Sequence, residues 1–217
     1  VVDLTRILAG PFCTLHLADL GAEVIKIEPP EGDPIRAQGH GHAGLSWYFA
    51  AFNRNKRSVR LDLRSPGGMA ALRKLIATAD VVVDNFRPDV MEHMGLNWTT
   101  LQTLSPGLIH TSISGFGETG PYAQRPSFDF IAQAMSGFMS LNGTPETGPL
   151  RAGIPISDLV AGTYAALGTV AALLRRRGKP VCIAVNKIDD LAIVDNTYDF
   201  YQLGIDKVIP ISATHGN

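Results

Sequence analysis

The first 28 residues of the chain, VVDLTRILAGPFCTLHLADLGAEVIKIE (residues 1–28), decide the fold. Residues 1–4 are an apolar run typical of a strand, and apolar residues then recur at helical spacing over 12–18 until Gly21. A second strand is predicted at 23–28, where two prolines end it. A strand, a helix and a second strand at this spacing predict a βαβ unit, in which the two strands lie parallel.

The same alternation of short apolar runs and helical patterns continues along the chain. Ser65 is in the position of a helix N-cap, and Pro66 follows in the first turn of that helix. We therefore predict an α/β fold with a Rossmann-like parallel sheet flanked by helices. The further strands are predicted at 58–61, 81–83 and 108–114, and the further helices near 88–94, 98–104, 128–140 and 159–177.

The composition is that of a folded domain with little net charge. Of the 217 residues, 45% are hydrophobic and 18% are charged, which excludes a disordered tail. The net charge of −1 provides no basic field for nucleic acid or for an anionic membrane. Cys13 and Cys182 are too few for a disulfide framework, so we predict a cytoplasmic protein. The longest uncharged run, residues 159–174, is shorter than a membrane span and predicts a buried helix.

Two local motifs resemble binding sites but lack the residues that such sites need. GFGETG at 115–120 matches the dinucleotide fingerprint, but Pro121 follows it where a helix should begin. His40 and His42 have no third ligand at a plausible spacing for a metal. We predict neither a nicotinamide site nor a metal site.

Two other features could carry chemistry. The segment NRNKRS at 53–58 contains three cations, which suit a phosphorylated small ligand but also suit a solvated turn. Asp158 begins the long apolar helix, where a carboxylate could be an N-cap. The helix amides could also keep it ionised, as a nucleophile requires. Asp129 is the other acid in an apolar context, and composition alone does not choose between the two.

Longer stretches of the chain resemble family III CoA-transferases. They occur in the order of that family, without large gaps, over residues 1–177. The matching stretches are VVDLTRILAGPFCTLHLADLGAEVIKIEPPEGDPIR (1–36), FNRNKRSVRLDL (52–63), ADVVVDNFRPDVMEHMGL (79–96), SGFGETGPYAQRPSFDFIAQAMSG (114–137) and PISDLVAGTYAALGTVAALLRRR (155–177).

The resemblance implies covalent catalysis by Asp158. Its carboxylate would receive CoA as a thioester and pass it to a carboxylic acid, with acyl-CoA as substrate and no further cofactor. Asp129 matches an acidic position near the catalytic centre. Leu8 stands where formyl-CoA transferase has glutamine, so the acid that is exchanged stays open. Family members form homodimers, are longer than this chain and have a second domain.

The resemblance also implies a binding site for CoA in two parts. One part would neutralise the phosphates, and the other would border the nucleotide at the end of a strand. The phosphate residues are Arg54, Lys56 and Arg57, and the nucleotide residues are Asn85, Phe86 and Arg87.

An alternative activity within the same fold is that of the α-methylacyl-CoA racemases. Those enzymes use a His–Asp pair, and their histidine directly precedes the acid that matches Asp129. Here Phe128 occupies that position. Without an imidazole as base, racemisation is the weaker alternative.

The last 40 residues, 178–217, resemble a different class of protein. KPVCIAVNKIDDL and YDFYQLGIDKVIPISATHGN are similar to the end of a G domain, as in the GTPase Der. The resemblance makes Asn186, Lys187 and Asp189 an NKxD motif for guanine, with Ser212 and Ala213 as the second guanine loop. No phosphate loop accompanies them. We therefore predict a chimera: residues 1–177 as an incomplete large domain of a CoA-transferase, and 178–217 as a βαβ-like GTPase fragment. A guanine-nucleotide protein and an inactive fusion product remain alternatives.

Overall fold

The computed structural model describes residues 1–179, 182–185 and 207–210. The chain divides into two compact units, Val1–Thr169 and Val170–Asn217, whose boundary lies within the last helix. The strands are β1 (Val2–Asp3), β2 (Ile25–Glu28), β3 (Gly41–His42), β4 (Leu45–Ser46), β5 (Arg57–Arg60), β6 (Val81–Asp84), β7 (Ile109–Ser112), β8 (Gly143–Thr144), β9 (Gly148–Pro149), β10 (Cys182–Val185) and β11 (Lys207–Pro210). The α-helices are α1 (Ala9–Asp19), α2 (Trp47–Asn53), α3 (Pro66–Ala77), α4 (Val90–His93), α5 (Trp98–Leu104), α6 (Asp129–Met135) and α7 (Ile156–Arg176), and the 3₁₀ helices are Pro34–Ala37 and Phe138–Leu141.

The central sheet of the first unit has five parallel strands in the order β5-β2-β1-β6-β7. β1, α1 and β2 form the βαβ unit predicted from the first residues of the sequence. After β5 the chain returns to the other side of β1 to form β6, so the strand order reverses between β1 and β6. This is the doubly wound order of a Rossmann-like sheet. The predicted α/β fold with a parallel central sheet is confirmed.

One face of the sheet carries the main hydrophobic core. α3 packs there through Leu72 and Ile76. Ser65 caps the start of α3, its side chain accepting a hydrogen bond from the Gly68 amide. Each large apolar side chain that this core buries contributes roughly 1.5–3 kcal/mol. The core comprises Val2, Ile27 and Val82 from the strands, Leu4 directly after β1, Leu72 and Ile76 from α3, and Met91, Leu96, Leu101 and Leu108 from the segments that follow β6.

The opposite face is covered by α1. Successive side chains of a strand point to opposite faces, so Asp3 lies on the other side of the sheet from Val2. Its carboxylate accepts a hydrogen bond from the Thr14 hydroxyl of α1 at 2.6 Å. A polar pair therefore joins α1 to β1, the central strand of the sheet.

Helix α7 is longer and more exposed than the sequence predicts. It begins at Ile156, three residues before the predicted start at 159, and it buries only Gly162, Ala166 and Thr169. These three positions are spaced four and three residues apart, so they form one narrow stripe. The prediction of a buried helix is wrong for the rest of its surface. Of the helices in the described part of the chain, α7 is also the one long and apolar enough to cross a membrane.

The second unit contains two strands that pair with each other. β10 and β11 are parallel, in register from the pair Cys182 and Lys207 to the pair Val185 and Pro210. The predicted strand before residue 186 is therefore present. The residues between β10 and β11 lie outside the described ranges.

Candidate active site

A cleft of about 480 Å³ lies at the carboxyl edge of the sheet. Ligands of doubly wound folds bind at this edge, where the strand order reverses, and the volume is that of a small-molecule site. The cleft is lined by residues 4–6 after β1, 27–34 around the end of β2, 61–64 after β5, and Phe86 after β6.

Asn85 holds two of these strand ends together. Its Oδ1 accepts a hydrogen bond from the Arg6 amide at 2.9 Å, and its Nδ2 donates to the Arg6 carbonyl at 2.7 Å. The next residue, Phe86, donates its amide to Asp84 Oδ1 at 3.0 Å and lines the cleft. Arg87 follows and is exposed. Of the sequence-predicted pair, Phe86 therefore lines the cleft, and Asn85 holds the backbone of the lining residue Arg6.

Two cations that the sequence reasoning missed also line the cleft. Arg6 and Arg64 are exposed residues of its wall. Each follows the carboxyl end of a parallel strand, β1 or β5, and this position was the signal that could have identified them. The cleft thus has a ring at Phe86 and cations on two of its strand ends.

Arg54 and Arg57 do not reach this cleft. Arg57 is the first residue of β5, so the strand length, about 13 Å, separates it from the carboxyl edge. Its guanidinium pairs with Glu23 at 3.1 Å, and that of Arg54 pairs with Asp19 at 2.6 Å. The structure therefore places these predicted phosphate ligands at the opposite edge of the sheet from Asn85.

The prediction that Lys56 neutralises a phosphate is corrected by the structure. The Lys56 side chain is only 1% exposed, and its ammonium is surrounded by protein oxygens. It lies 3.2 Å from Asp3 Oδ2, and it donates to the Pro11 carbonyl at 2.9 Å and to Asn53 Oδ1 at 3.0 Å. Burial lowers the pKa of Lys56 to about 8, although the charge of Asp3 opposes that shift. Lys56 thus ties together β1, α1 and α2.

Asp158 lies in the first turn of α7, and the carboxylate that caps this helix belongs to another residue. Asp129 Oδ1 accepts a hydrogen bond from the Ser157 amide at 2.8 Å. The N-cap interpretation of Asp158 is therefore wrong. The helix begins earlier than predicted, and one of its first amides is bound by a side chain 28 positions earlier in the chain.

The packing of α7 on α1 sets the surroundings of Asp158. A Cβ atom on Gly162 would lie 2.5 Å from the Ala9 carbonyl oxygen, so the two helices are in backbone contact there. Asp158 is one turn earlier than Gly162 and lies on the same face of α7. Leu8 directly precedes the contacting residue Ala9, but it is 2% exposed and its side chain lies in the core. The nucleophile candidate is thus near the start of α1, which follows β1.

The electrostatic environment of Asp158 differs from the expected one. Burial, and secondly the negative charge of Asp129, raise the pKa of Asp158 to about 6. The pKa is therefore raised, whereas we expected the helix amides to favour the ionised form. Burial also raises the pKa of Tyr48, with further contributions from Asp158 and from Asp33 of the cleft wall. The result is a poorly solvated carboxylate that is mostly ionised at neutral pH.

Several sequence-predicted residues have other positions. Phe128, which stands where racemases have a histidine, is 67% exposed and immediately precedes α6. Asn186, Lys187, Asp189, Ser212 and Ala213, the predicted guanine residues, lie outside the described residues. Within the ranges that the structure describes, no group of three metal-ligating side chains is found.

The fold and the site define a Rossmann-like α/β protein with a carboxylate at the start of a helix. The chain belongs to CoA-transferase family III, whose family model matches residues 1–207. The match extends beyond residue 178, where we placed a junction, and so includes most of the segment that resembles a GTPase.

Among curated proteins, this chain is similar to CoA-transferases from several organisms. It is 44% identical over 209 residues to the succinyl-CoA–D-citramalate CoA-transferase of Chloroflexus aurantiacus, covering 94% of this chain and 52% of that one. It is 37% identical over 222 residues to the human succinyl-CoA:glutarate CoA-transferase, covering 100% of this chain and 51% of that one. The chain thus spans about half the length of the curated relatives it matches.

Solved structures agree with this family. A CaiB/BaiF family protein from Brucella suis has a TM-score of 0.77 at 43% identity, covering 82% of this chain and 49% of that one. A hypothetical protein from Mycobacterium tuberculosis has a TM-score of 0.75 at 32% identity, covering 97% of this chain and 51% of that one.

Proposed function

We propose that this chain transfers CoA from an acyl-CoA thioester to a free carboxylic acid through a thioester on Asp158. The observation that carries the proposal is the half-buried carboxylate in the first turn of α7. Family membership adds support, since relatives are named for succinyl-CoA with D-citramalate or glutarate. A poorly solvated, ionised carboxylate is a competent nucleophile toward a thioester.

The reaction consists of two symmetrical halves. The Asp158 carboxylate attacks the thioester carbonyl, and the C–S bond breaks to give a mixed anhydride and CoA thiolate. The thiolate attacks the aspartyl carbonyl, forming the aspartyl-CoA thioester and releasing the first acid as carboxylate. The acceptor carboxylate then attacks this thioester and displaces the thiolate. The thiolate attacks the acceptor carbonyl of the new anhydride, which yields the new acyl-CoA and regenerates Asp158.

We assign the nucleotide part of CoA to the cleft at the carboxyl edge of the sheet. Phe86 offers an aromatic ring to the base. The guanidinium groups of Arg6 and Arg64 are suited to phosphate, because each guanidinium can bind two phosphate oxygens at once. The charges of Asp158 and of Asp33 in the cleft wall both contribute to the raised pKa of Tyr48, so both acids are within electrostatic range of that side chain.

The proposal is tested by acyl exchange with the purified chain. Succinyl-CoA and isotopically labelled glutarate should give labelled glutaryl-CoA at a rate proportional to protein concentration. Free CoA with no labelled thioester would indicate hydrolysis and would contradict the proposal. The racemase alternative is tested in D₂O with a 2-methylacyl-CoA, and we expect no deuterium at the α-carbon, since Phe128 supplies no base.

The contact between Asn85 and Arg6 gives a prediction for CoA affinity. Asn85→Asp keeps the size of the side chain but replaces the donor to the Arg6 carbonyl by a second oxygen. We expect the Kd for CoA, measured by calorimetry, to rise roughly 10-fold, because Arg6, a cation of the cleft, loses one of the two hydrogen bonds that hold its backbone. The matched control is Asn97→Asp at the N-cap of α5, where both residues cap equally well. An unchanged Kd in Asn85→Asp would show that CoA binding does not depend on how Asn85 holds Arg6.

Asp129 gives a prediction for the pH dependence of exchange. Asp158 attacks in its ionised form, so kcat/KM should rise with pH through its pKa of about 6. Asp129→Asn removes the like charge but leaves the burial, so the acid limb should move down by roughly 0.5–1 pH unit. The enzyme is kept at pH 7 and diluted into each assay pH only for a brief measurement of the initial rate. The midpoint of the acid limb then does not depend on the fraction of enzyme that is folded. A midpoint that is unchanged or moves upward would contradict the electrostatic role of Asp129.

A second candidate function concerns the tail alone. β10 and β11 are parallel and end at the paired residues Val185 and Pro210. Asn186 follows the first strand, and Ser212 follows the second by two positions. This arrangement supports a guanine contact of the tail, as in the last strands of a G domain. Guanosine and GTP should then bind equally weakly, since no phosphate loop precedes the motif. If neither compound shifts the NMR signals of the tail, the guanine contact is contradicted.

A further inference from the structure

We propose that Gln133 is a positioning residue for the carboxylate of Asp158, an inference that rests on the proposed function. Gln133 lies in α6 and is 0% exposed. It lines no part of the cleft described above. A side-chain amide that is completely removed from water must find its hydrogen-bond partners within the protein, so those partners define what it does.

One end of the Gln133 amide binds the segment that precedes α7, and the other end binds Asp129 of α6. Its Oε1 accepts a hydrogen bond from the Ala152 amide at 2.8 Å. Its Nε2 donates to Asp129 Oδ2 at 2.6 Å and lies 3.5 Å from the Ile154 carbonyl oxygen. A backbone N–H can only donate, so the Ala152 contact determines which end of the amide is the oxygen.

Asp129 extends this connection into helix α7. Its Oδ2 accepts from Gln133, while its Oδ1 accepts from the Ser157 amide at 2.8 Å. The two side chains are four residues apart on α6 and therefore lie on one face of that helix. Together they hold the segment 152–157 at both of its ends, and Asp158 is the next residue.

The segment matters because it carries the nucleophile. Gly162 fixes the following turn of α7 against α1, so the position of Asp158 is set from both sides. In acyl transfer the attacking oxygen must be within van der Waals reach of the carbonyl carbon. A displacement of about 1 Å can reduce a rate by about 10²-fold. Gln133 acts on catalysis through this geometry, without touching the substrate.

The first test is Gln133→Met, which keeps the length of the side chain and removes all of its hydrogen bonds. We expect kcat for acyl exchange, per active site, to fall roughly 10- to 100-fold, while KM for succinyl-CoA changes less than about 3-fold. Hydrogen exchange at residues 152–157 should accelerate roughly 10-fold or more, with exchange in β6 unchanged. The matched control is Gln102→Met, at an exposed glutamine of α5 that should affect neither quantity.

The second test is Gln133→Glu, which separates the hydrogen bonds from simple filling of space. A glutamate still accepts from Ala152, but it can donate to Asp129 only when it is protonated. Its activity relative to wild type should therefore be highest at acid pH and fall as pH rises. Rates are taken per active site at each pH, because a glutamate at this fully buried position would also destabilise the fold as it ionises, whatever role Gln133 has.

The outcomes distinguish this inference from the proposed function. If Asp158→Asn retains acyl exchange, or if wild type shows no acyl exchange, the proposed function fails. Hydrogen exchange alone then decides the role of Gln133. Acceleration of hydrogen exchange that is confined to residues 152–157 supports the inference. An unchanged kcat per active site in Gln133→Met overturns the inference. Hydrogen exchange that accelerates uniformly along the chain, or that does not accelerate, also overturns it.

Discussion

Acyl exchange between succinyl-CoA and glutarate should fall by roughly four to six orders of magnitude when Asp158 is replaced by asparagine. The amide has nearly the same size as the carboxylate, but it is a poor nucleophile and cannot form the mixed anhydride. The initial rate of labelled glutaryl-CoA formation measures the loss. The control Asp89→Asn removes a carboxylate that only faces His93 at 3.5 Å, and it should keep the wild-type rate.

This loss should occur without a loss of stability. Burial and Asp129 raise the pKa of Asp158 to about 6 from its ordinary value of 3.8. A carboxyl group with a raised pKa favours the folded state when protonated, so wild type loses free energy of unfolding as pH rises from 3.8 to about 6. The Asp158→Asn variant carries no charge there, so its Tm at pH 7 should equal or exceed that of wild type. A variant that unfolds earlier, or that keeps its activity, would contradict the assignment.

Lys56→Met should lower the free energy of unfolding by about 3–5 kcal/mol. Asp3 is fully buried, and burial alone would raise its pKa. Lys56, Lys26 and the hydroxyl groups of Thr14 and Thr5 outweigh that effect, so the pKa of Asp3 is lowered. Removing Lys56 leaves a buried carboxylate without its adjacent cation, which is among the costliest single changes. Urea denaturation at pH 7 measures the difference.

Two further variants determine the origin of that cost. Lys74→Met removes an exposed lysine of α3 and should change the free energy of unfolding by less than about 0.5 kcal/mol. Asp3→Asn combined with Lys56→Met should recover part of the stability, since no buried charge is then left unpaired. If Lys56→Met instead costs no more than Lys74→Met but weakens CoA binding, Lys56 contacts a phosphate as the sequence interpretation held.

The fold could be predicted from the sequence because its signals are local. Short apolar runs separated by helical patterns predict a parallel sheet, and the strand at 81–83 is found at Val81–Asp84. The start of α7 could not be predicted in this way. Its Ser157 amide is bound by Asp129, and no pattern within a helix reveals a cap that comes from another helix.

The site was less predictable because exposure and partners depend on distant residues. Arg54, Lys56 and Arg57 look alike in sequence, as three cations in one turn. In the structure, Lys56 is buried on Asp3, whereas the two arginines face acids near the amino edge of the sheet. The cleft cations Arg6 and Arg64 were missed because neither belongs to a cationic cluster. Strand order, which brings their loops together, is a property of the folded chain.

The central claim is most directly tested by locating the covalent intermediate. The chain is mixed with succinyl-CoA without acceptor, quenched in acid, digested with trypsin and examined by mass spectrometry. The tryptic peptide 152–175 contains a single carboxylate side chain, that of Asp158. Our account predicts a CoA adduct on this peptide, absent from the Asp158→Asn variant and discharged by glutarate. Exchange that proceeds with no adduct on this peptide, or with one on another peptide, would contradict it.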